Sequence, residues 1–577
     1  YLAEAKKIRQ AIEDQLWLSG KGQFAEFKDN LGKGKVHPQA GLWSFYHLQD
    51  SEVPEAFQAW EMLHYVDKEI PHIPLVAEGM PEGSYHLLST TNWQPYTWSV
   101  NSVAMAEVQH AALACWQAGY DKEAYTLWKS TIMESMYLGA CPGNFQQLSF
   151  YDAMRGELYR DFADAVGMGA RTLVEGLFGI QPNLLENKLT IAPGFPAEWD
   201  HASLKTPDFN INYRQEGDQE RFTIATSLAE NPELSLILNA RKDAVAEVLV
   251  NGENVAWHMV ENPVGFPRIQ INSKLQGETV ITVKWKGNTF SENVVNYTIA
   301  VGDRFTPDFG KATLLDIKDP QEAITSYDLK DGIFISDGTG RKTVFFHLKQ
   351  ADMIWWKPVF LEIKNPVEVI PSPVQTENSL DFALSNFSSK SISGTYALKG
   401  KETAFTLAGG ETGSLHISSP DLNPGTNQII LKYGDQIDTA RVINWNIKAK
   451  GELQTPNIAA SFNDKVTSIF RNQYLTPRSP YPTVQIPVQG LGDWCSYKAY
   501  MDIDDSGLRQ LAGGSDEIQT PEGIPFKTPG DTNQNNISFV SLWDNYPNEI
   551  TMPLHGNAQH VYLLMAGSTN PMQSHFT

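Results

Sequence analysis

The sequence predicts a multidomain α+β protein in which a helical region, residues 1–190, precedes a series of β-sandwich domains. The chain has 577 residues, whereas a single domain usually takes roughly 150. Apolar residues recur at helical spacing as far as residue 180 and alternate with polar residues beyond it, which marks a change from helices to strands. Hydrophobic residues make up 41% and charged residues 19%, a composition that supports buried cores rather than disorder.

Charge, hydropathy and cysteine content exclude several classes of protein. The formal net charge is −22, which repels nucleic-acid phosphates and anionic membranes, and no basic patch offsets it. No run approaches the ~18 apolar residues that cross a bilayer, so we expect neither a nucleic-acid partner nor a transmembrane segment. Cys115, Cys141 and Cys495 are far apart and odd in number, which predicts free thiols rather than disulfides or a metal site.

Several stretches of the helical region have the periodicity of amphipathic helices. We expect helices to begin near Leu2, Val53, Val100, Asp121 and Arg160. A short joint at Gly119 turns the third into the fourth and makes a helical hairpin. The connecting segments 18–51, 70–97 and 138–159 are much longer than the ~2–8 residues that usually join bundle helices. Long loops of this kind are usually functional.

Beyond residue 190 we expect three β-rich domains. Residues 191–365 form a β-sandwich region. We expect the β region as a whole to do no chemistry and to serve as scaffold and as a candidate glycan contact. After a Pro-rich boundary, residues 366–450 have the length and the alternating runs of a small immunoglobulin-like sandwich. Residues 451–577 form a further β-rich domain, which we expect to be truncated.

The first long loop carries a candidate pair of catalytic carboxylates. Glu26 and Asp29 are three residues apart and are interleaved with aromatic rings and Lys28. Apolar rings beside a carboxyl group raise its pKa, as a general acid requires, and a lysine keeps a second carboxylate ionised. Phe24, Lys28 and Trp43 are candidate substrate contacts. The structural alternative is that both carboxylates cap the next turn.

The loop before the third helix has the composition of a sugar-binding surface. Its candidate substrate contacts are Asn92, Trp93, Gln94, Tyr96 and Trp98. Aromatic rings pack against the C–H face of a sugar ring, and amides bond to its hydroxyl groups. Packing in the core is the alternative for the aromatic members.

A third candidate site precedes the fifth helix. Asp152 and Glu157 are the candidate catalytic groups there, and Tyr151 and Arg155 are candidate substrate contacts. On a helix, acids and arginines at this spacing also form the salt bridges of an ordinary helix start. Both interpretations are open at the level of the sequence.

Metal sites are not indicated by spacing. The histidines of the helical region form neither HxxH nor HExxH motifs. These histidines are His37, His47, His64, His72 and His86. The one group of carboxylates that suits a hard cation such as Ca²⁺ is Asp493, Asp502, Asp504 and Asp505. Its spacing is not that of an EF-hand loop, and a solvated turn is the alternative. We therefore expect no cofactor, with calcium as the single candidate.

Resemblance to a known family rests on five runs of this sequence. Asn92–Asn101 resembles the Trp–Pro–Trp segment that leads into an inner helix of the six-hairpin glycosidases, the (α/α)6-barrel group of trehalase, glycogen-debranching-like enzymes and α-L-rhamnosidases. Leu173–Pro182 and Leu189–Trp199 resemble the passage from such a barrel into a C-terminal β-sandwich. Phe24–Asp29 and Asp502–Arg509 are similar to large Bacteroidetes polysaccharide-degradation glycoside hydrolases, including a β-L-arabinofuranosidase-like branch.

The resemblance implies that residues 1–190 are the C-terminal half of an (α/α)6 barrel, and that the chain is a fragment completed by the rest of the same polypeptide. It also implies a glycoside hydrolase acting on a plant-type or other complex glycan. By position, Glu26 or Asp29 matches the acidic catalytic loop and Asp152 or Glu157 matches a late base. The trehalase-like motif has an acid where this chain has Gln94, so that residue is not assigned a catalytic role.

The implied mechanism is inverting hydrolysis, which places the two carboxyl groups ~6.5–9.5 Å apart, whereas a retaining pair is ~5–5.5 Å apart. Two other classes stay open: a non-catalytic carbohydrate-binding protein, and a polysaccharide lyase with an (α/α) toroid and a Tyr/His or Lys/Arg pair. The acidic composition and aromatic loops favour an exported protein, in the periplasm or at the cell surface of a Bacteroidetes-like organism.

Overall fold

The computed structural model divides the chain into two compact units. Unit 1 contains Tyr1–Phe27, Pro38–Tyr297 and Arg304–Ile363, and unit 2 contains Lys28–His37, Thr298–Asp303 and Lys364–Thr577. The residues that the structure describes are 1–28, 34–76, 79–91, 103–138, 163–228, 231–292, 294–328, 333–336, 338–371, 379–418, 422–423, 425–444, 451–468, 504–540, 546–552, 554, 556–558 and 561–565. Over these residues the protein is multidomain and strand-rich with helices, as the sequence predicts, while the (α/α)6 barrel stays a prediction.

The helical elements lie in the first part of unit 1. Its described helices are α1 (Leu2–Leu16), α2 (Leu42–Asp50), α3 (Ala56–Glu69), α4 (Met105–Ala118), α5 (Asp121–Met133) and α6 (Ala163–Arg171). Two of them continue as π-helical turns, α5 into Glu134–Leu138 and α6 into Thr172–Leu177. Gly119 ends α4 in the left-handed region, at φ 87°, so the helical hairpin forms where the sequence places it. None of the described helices is long and apolar enough to cross a membrane.

The helix α2 lies within residues 18–51, which the sequence predicts to be one loop, so that prediction is wrong over Leu42–Asp50. The helix is nine residues long and buries Leu42, Phe45 and Tyr46. Its N-terminal residue, Gly41, has no side chain with which to cap the helix. The usual local signal of a helix start is therefore missing from the sequence.

The long connecting segments also contain short strands. These are β1 (Trp17–Leu18), β2 (Gln23–Phe24), β3 (Phe27–Lys28), β4 (Val36–His37), β5 (His72–Pro74) and β6 (His86–Leu88). The strands β5 and β6 pair as an antiparallel hairpin. The first two segments that the sequence predicts to be long loops are thus partly hydrogen-bonded strands.

Two antiparallel-rich sheets follow the helices in unit 1. Their strands are β7 (Ile180–Asn183), β8 (Lys188–Ile191), β9 (His201–Lys205), β10 (Phe209–Glu216), β11 (Gln219–Thr226), β12 (Glu233–Asn239), β13 (Ala244–Val250), β14 (Glu253–Asn254), β15 (Trp257–Met259), β16 (Arg268–Lys274) and β17 (Glu278–Lys286). One sheet has the order β14-β13-β17-β11-β10-β9 and the other β15-β16-β12-β8-β7. Buried and less buried residues alternate along β12 and β17, and their inward side chains belong to the same hydrophobic core as α2, α3 and α4.

Further strands complete unit 1 and connect it to unit 2 along the chain. They are β18 (Val295–Ala300), β19 (Arg304–Phe305), β20 (Thr313–Lys318), β21 (Ile324–Asp328), β22 (Ile333–Ser336), β23 (Gly340–Gln350) and β24 (Met353–Lys364). The strand β23 pairs antiparallel with both β20 and β24. The side chains of Phe345 and Phe360 join the core of unit 1.

Unit 2 has its own core. Its sandwich strands are β25 (Val367–Pro371), β26 (Ser379–Asn386), β27 (Ile392–Leu398), β28 (Lys401–Leu407), β29 (Thr412–Ser418), β30 (Gly425–Tyr433) and β31 (Gln436–Asn444). They form sheets of order β25-β26-β29 and β28-β27-β30-β31 around Leu380, Ile429 and Leu431. The later described elements are the helix α7 (Ser506–Ala512) and the strands β32 (Glu517–Gln519) and β33 (Pro525–Lys527).

The indole of Trp116 joins the helices of unit 1 to its sheets. The ring lies against two glycines, one at the end of the helical region and one after β8. A Cβ on Gly176 would lie 2.3 Å from Trp116 Cε3, and one on Gly194 would lie 2.1 Å from Trp116 Nε1. Trp116 Nε1 also donates a hydrogen bond to the Gly194 carbonyl, at 3.1 Å. The glycines are required here because any side chain would occupy the position of the indole.

A buried ionic network crosslinks the larger sheet of unit 1. Glu220 Oε1 accepts hydrogen bonds from Arg241 Nε at 2.6 Å and from the Tyr213 hydroxyl at 3.1 Å. Glu220 Oε2 accepts one from Trp285 Nε1 at 2.7 Å. Since Glu220 is only 5% exposed, its charge is compensated mainly by these donors.

We expect Glu220→Gln to lower the free energy of unfolding by about 3 kcal/mol, because it leaves the half-buried Arg241 guanidinium without its counter-ion. Urea unfolding followed by tryptophan fluorescence measures the change. The matched control is Glu247→Gln, which removes the more exposed ion pair with Lys284 and should cost less than about 1 kcal/mol. Equal losses in the two variants would contradict the role of burial.

Candidate active site

The carboxylate of Glu26 completes the N-terminus of α2. Glu26 Oε2 accepts hydrogen bonds from the Gly41 backbone N–H at 2.7 Å and from Ser44 Oγ at 2.8 Å, and Glu26 Oε1 accepts one from Trp43 Nε1. A helix N-terminus favours negative charge at this position. These three donors fix the position of the Glu26 side chain, although 14 residues of chain lie between it and the Gly41 N–H that it accepts.

Glu107 is the second acid of this region, and the sequence analysis did not identify it. It lies in the first turn of α4. Burial, followed by the charges of Asp164 and Glu26, raises the pKa of Glu107 from 4.5 to about 7. Among the described residues, its buried Oε2 has no hydrogen-bond partner. Near pH 7 a large share of Glu107 therefore still carries its proton, whereas an ordinary glutamate has lost it.

Asp164 is the third acid, in the first turn of α6. Its side chain is exposed, in contrast to that of Glu107. The charges of Glu107, Asp164 and Glu26 all act on Tyr46, where burial first and these charges next raise the pKa of the phenol well above its usual value. We call Glu26, Glu107 and Asp164 the acidic cluster. Its members come from three parts of the chain, and the charge of each one acts on Tyr46.

A network around Asp50 fixes the helices that carry the acidic cluster. Arg171 donates to both oxygens of Asp50, at 2.9 and 2.7 Å, and Gln117 Nε2 donates to Oδ1 at 2.9 Å. His110 Nε2 lies 3.3 Å from Asp50 Oδ2, and its ring stacks on Tyr46 at 4.3 Å between centroids. Burial opposes the ionisation of Asp50, but the bonds from Arg171 and Gln117 outweigh it and lower its pKa to about 2. The network connects α2, α4 and α6.

The candidate substrate contacts have different environments. Phe24 is 1% exposed and packs on Trp17 with 4.8 Å between ring centroids. Its assignment as a sugar contact is therefore wrong, because the ring has no accessible face. Trp43 is half-buried and donates to Glu26, so it lies at the acidic cluster. Lys28 is half-buried and belongs to unit 2.

Most of the remaining candidates lie outside the described residues. They are the candidate acid Asp29, the candidate bases Asp152 and Glu157, and the candidate contacts Asn92, Trp93, Gln94, Tyr96, Trp98, Tyr151 and Arg155. In the sequence, Asn92–Trp98 precedes α4 and Tyr151–Glu157 precedes α6. These assignments stay predictions.

The candidate calcium ligands serve the helix α7. Asp504 Oδ1 accepts the Ser506 backbone N–H at 2.9 Å. Asp505 Oδ2 accepts Arg509 Nε at 2.7 Å and Asn536 Nδ2 at 3.0 Å. The arginine is buried, so its charge requires Asp505 as a partner. Asp493 and Asp502 lie outside the described residues. Asp505 is thereby committed to an ion pair, which makes it a poor calcium ligand.

Comparison with known proteins gives no family for this chain. No family model matches it, and no curated protein matches it. A solved glycoside hydrolase is 10% identical, with a TM-score of 0.22, over 65% of this chain and 62% of that structure. The mixed-linkage glucan-binding protein SGBP-B of Bacteroides ovatus is 12% identical, with a TM-score of 0.17, over 39% of this chain and 61% of that one.

A third solved structure, the uncharacterized protein lmo2446 of Listeria monocytogenes, is 11% identical with a TM-score of 0.15. The match covers 44% of this chain and 22% of that one. The chain spans less than two thirds of the length of each of these three structures. Similarities this low carry no argument, so the function has to be inferred from the residues themselves.

The raised pKa of Glu107 predicts a pH dependence of stability. Folding favours the protonated carboxyl, so this contribution is complete below about pH 4.5 and is lost as the pH rises through about 7. Between about pH 5 and pH 8 the free energy of unfolding of the unchanged protein should therefore fall by on the order of 2 kcal/mol because of Glu107. The Glu107→Gln variant should lack this part of the fall.

Urea unfolding of both proteins at the two pH values measures this difference. Burial also raises the pKa of Glu61 to about 8, but Glu61 is present in both proteins and cancels in the comparison. Identical pH dependence in the two proteins would contradict a protonated Glu107.

Proposed function

We propose that the protein is a glycoside hydrolase and that Glu107 is its general acid. The observation that carries the proposal is the half-buried carboxyl of Glu107, whose pKa is raised to about 7 by burial and by the charges of Asp164 and Glu26. Hydrolysis of a glycosidic bond requires one carboxylic acid that protonates the leaving oxygen, and negative charge that stabilises the oxocarbenium-like transition state. The sequence resemblance to six-hairpin glycosidases supports the same reaction class.

The environment of each acid assigns its role. The pKa of Glu107 is raised to about 7 and its Oε2 has no partner among the described residues, so its protonated form can donate a proton to the glycosidic oxygen. Glu26 is held by Gly41, Trp43 and Ser44, which suits electrostatic stabilisation better than the acid role that the sequence predicts for it. By its negative charge, Glu26 also keeps the proton on Glu107.

The base that activates water in an inverting reaction has three candidates. Asp164 is exposed and close enough for its charge to raise the pKa of Glu107, so water can reach it. Asp152 and Glu157 are the candidates from the sequence resemblance. The resemblance also supports inversion and a plant-type or other complex glycan as substrate.

The surroundings of Tyr46 favour a hydrolase over a lyase. A lyase abstracts a proton next to a uronate carboxylate, which requires a base of suitable pKa and cationic groups for the substrate. Tyr46 has its pKa raised by burial and by the acidic cluster, which disfavours the phenolate. Arg171 is committed to Asp50, and the acidic cluster would repel a uronate.

We expect Glu107→Gln to lower kcat for plant-type oligosaccharides by about 10²–10⁴-fold, because the leaving oxygen is then not protonated. Release of reducing ends measures the rate, and NMR of the first-formed anomer distinguishes inversion from retention. Aryl glycosides with acidic phenol leaving groups need little acid assistance, so the variant should retain most of its activity on them.

The matched control is Glu134→Gln. Burial raises the pKa of Glu134 as well, but no carboxylate among the described residues adds to this shift, and this variant should keep normal activity. If Glu107→Gln lost as much activity on activated aryl glycosides as on oligosaccharides, this would contradict the role of Glu107 as general acid. Products with an unsaturated uronate would indicate a lyase, and glycan binding without product would indicate a binding protein.

We also propose, from the acidic composition, the β-rich domains and the aromatic loops, that the protein acts after export, in the periplasm or at the cell surface. Fractionation of the source cells, with immunodetection of the native protein, measures this. Detection in the cytosolic fraction alone would contradict export and would leave the hydrolase proposal unchanged.

A further inference from the structure

Two histidines of unit 1 face each other across the hairpin β5–β6. In this hairpin His72 is opposite Leu88, and Pro74 is opposite His86. Side chains two residues apart on a strand point to the same face, so His72 and His86 are diagonal neighbours on one face. Their ring centroids are 4.5 Å apart.

A carboxylate from α5 joins the two rings. Glu123 Oε1 lies 2.9 Å from His86 Nε2. One ligand atom from each of His72, His86 and Glu123 lies within 4.8 Å of the others. The three side chains are 29%, 16% and 23% exposed, so the site is shielded but within reach of an ion from solvent.

The hydrogen bonds around the site prepare it for a metal. His72 Nδ1 lies 3.1 Å from the Ile70 carbonyl, so in the neutral ring this nitrogen carries the proton and the lone pair is on Nε2. A histidine ligand that donates its other N–H to a backbone carbonyl is the usual outer-shell arrangement of metal sites. Asp67 Oδ1 lies 4.0 Å from His72 Nε2 and supplies a further negative charge.

We propose that His72, His86 and Glu123 bind a divalent transition-metal ion, most simply Zn²⁺. Two imidazoles and one carboxylate are ligands that Zn²⁺ prefers, at about 2.0–2.2 Å from each donor atom. The three donor atoms lie within 4.8 Å of one another and would draw together around the ion. The fourth position is open to water or to Asp67.

The ion would connect the hairpin to the helical hairpin α4–α5. The same region is already joined by the backbone N–H of His86, which donates to Ser130 Oγ at 3.1 Å. Spacing in the sequence conceals the site, because the two histidines are separated by 13 residues and the acid follows 37 residues after His86. The site is separate from the acidic cluster, and the proposal does not depend on glycosidase activity.

The test uses the full chain without an affinity tag, freed of metal with a chelator and titrated with Co²⁺. We expect one Co²⁺ per chain, with visible d–d absorption, and displacement by one Zn²⁺. His72→Ala and Glu123→Gln should weaken binding by more than the about 10–100-fold that changes in outer-shell residues cost. The matched control, His201→Ala, removes an exposed histidine that also has a carboxylate neighbour, Asp200, and should bind normally.

Unchanged affinity in both variants, or no binding to the unchanged protein, would overturn the proposal. Circular dichroism shows whether each variant is folded. X-ray absorption of the zinc-loaded, unchanged protein provides a test that needs no variant. Two imidazoles and oxygen ligands at about 2.0–2.2 Å would support the site, whereas sulfur ligands or a shell without two imidazoles would overturn it.

Discussion

The ion pair between Asp50 and Arg171 is the interaction on which the candidate active site depends. Asp50 ends α2, Arg171 ends α6, and Gln117 bonds to the same carboxylate from α4. Each of these helices has an acid at its other end, either in its first turn or bonded to its N-terminus. Fixing the C-terminal parts of the helices therefore also fixes the distances among Glu26, Glu107 and Asp164.

Placing three acids together costs free energy, and the structure offsets this cost in two ways. Glu26 receives donors that compensate negative charge, and the raised pKa of Glu107 favours its neutral form. Asp164 remains exposed, where water screens it. Such an arrangement destabilises the fold at alkaline pH, and proteins retain this kind of cost mainly where chemistry needs it.

The elements that could be predicted from sequence are those with a local signal. The helices α4 and α5 have continuous apolar periodicity, and Gly119 between them has the left-handed conformation that glycine favours. The short helix α2 could not be predicted, because its cap comes from Glu26 rather than from a neighbouring residue. The alternation of apolar and polar residues along β12 and β17 is likewise visible in the sequence, because successive side chains on a strand point to opposite faces of the sheet.

The site residues are harder to predict for the same reason. Glu107 resembles any acid in the first turn of a helix, where the dipole alone would explain it, and only burial beside other acids gives it another role. His72 and His86 meet through strand pairing, which no fixed spacing encodes. The Glu26 loop was found from its composition, but the partner of Glu26 depends on where α4 begins. Contacts between segments that are distant in the sequence thus form both the acidic cluster and the proposed metal site.

The indole of Trp116 has a consequence for how the chain tolerates insertions. Gly194 N–H bonds to the Leu177 carbonyl at 3.1 Å, and Ala192 N–H bonds to the Gly179 carbonyl at 2.9 Å, so the glycines that accommodate the indole are at the base of the hairpin β7–β8. A residue added near this base would shift one chain past the other and place a side chain against the ring. At the tip, Leu185 is fully exposed, and added residues there extend into solvent. Length variation and the attachment of a further module are therefore accommodated at the tip of this hairpin, while its base remains of fixed length.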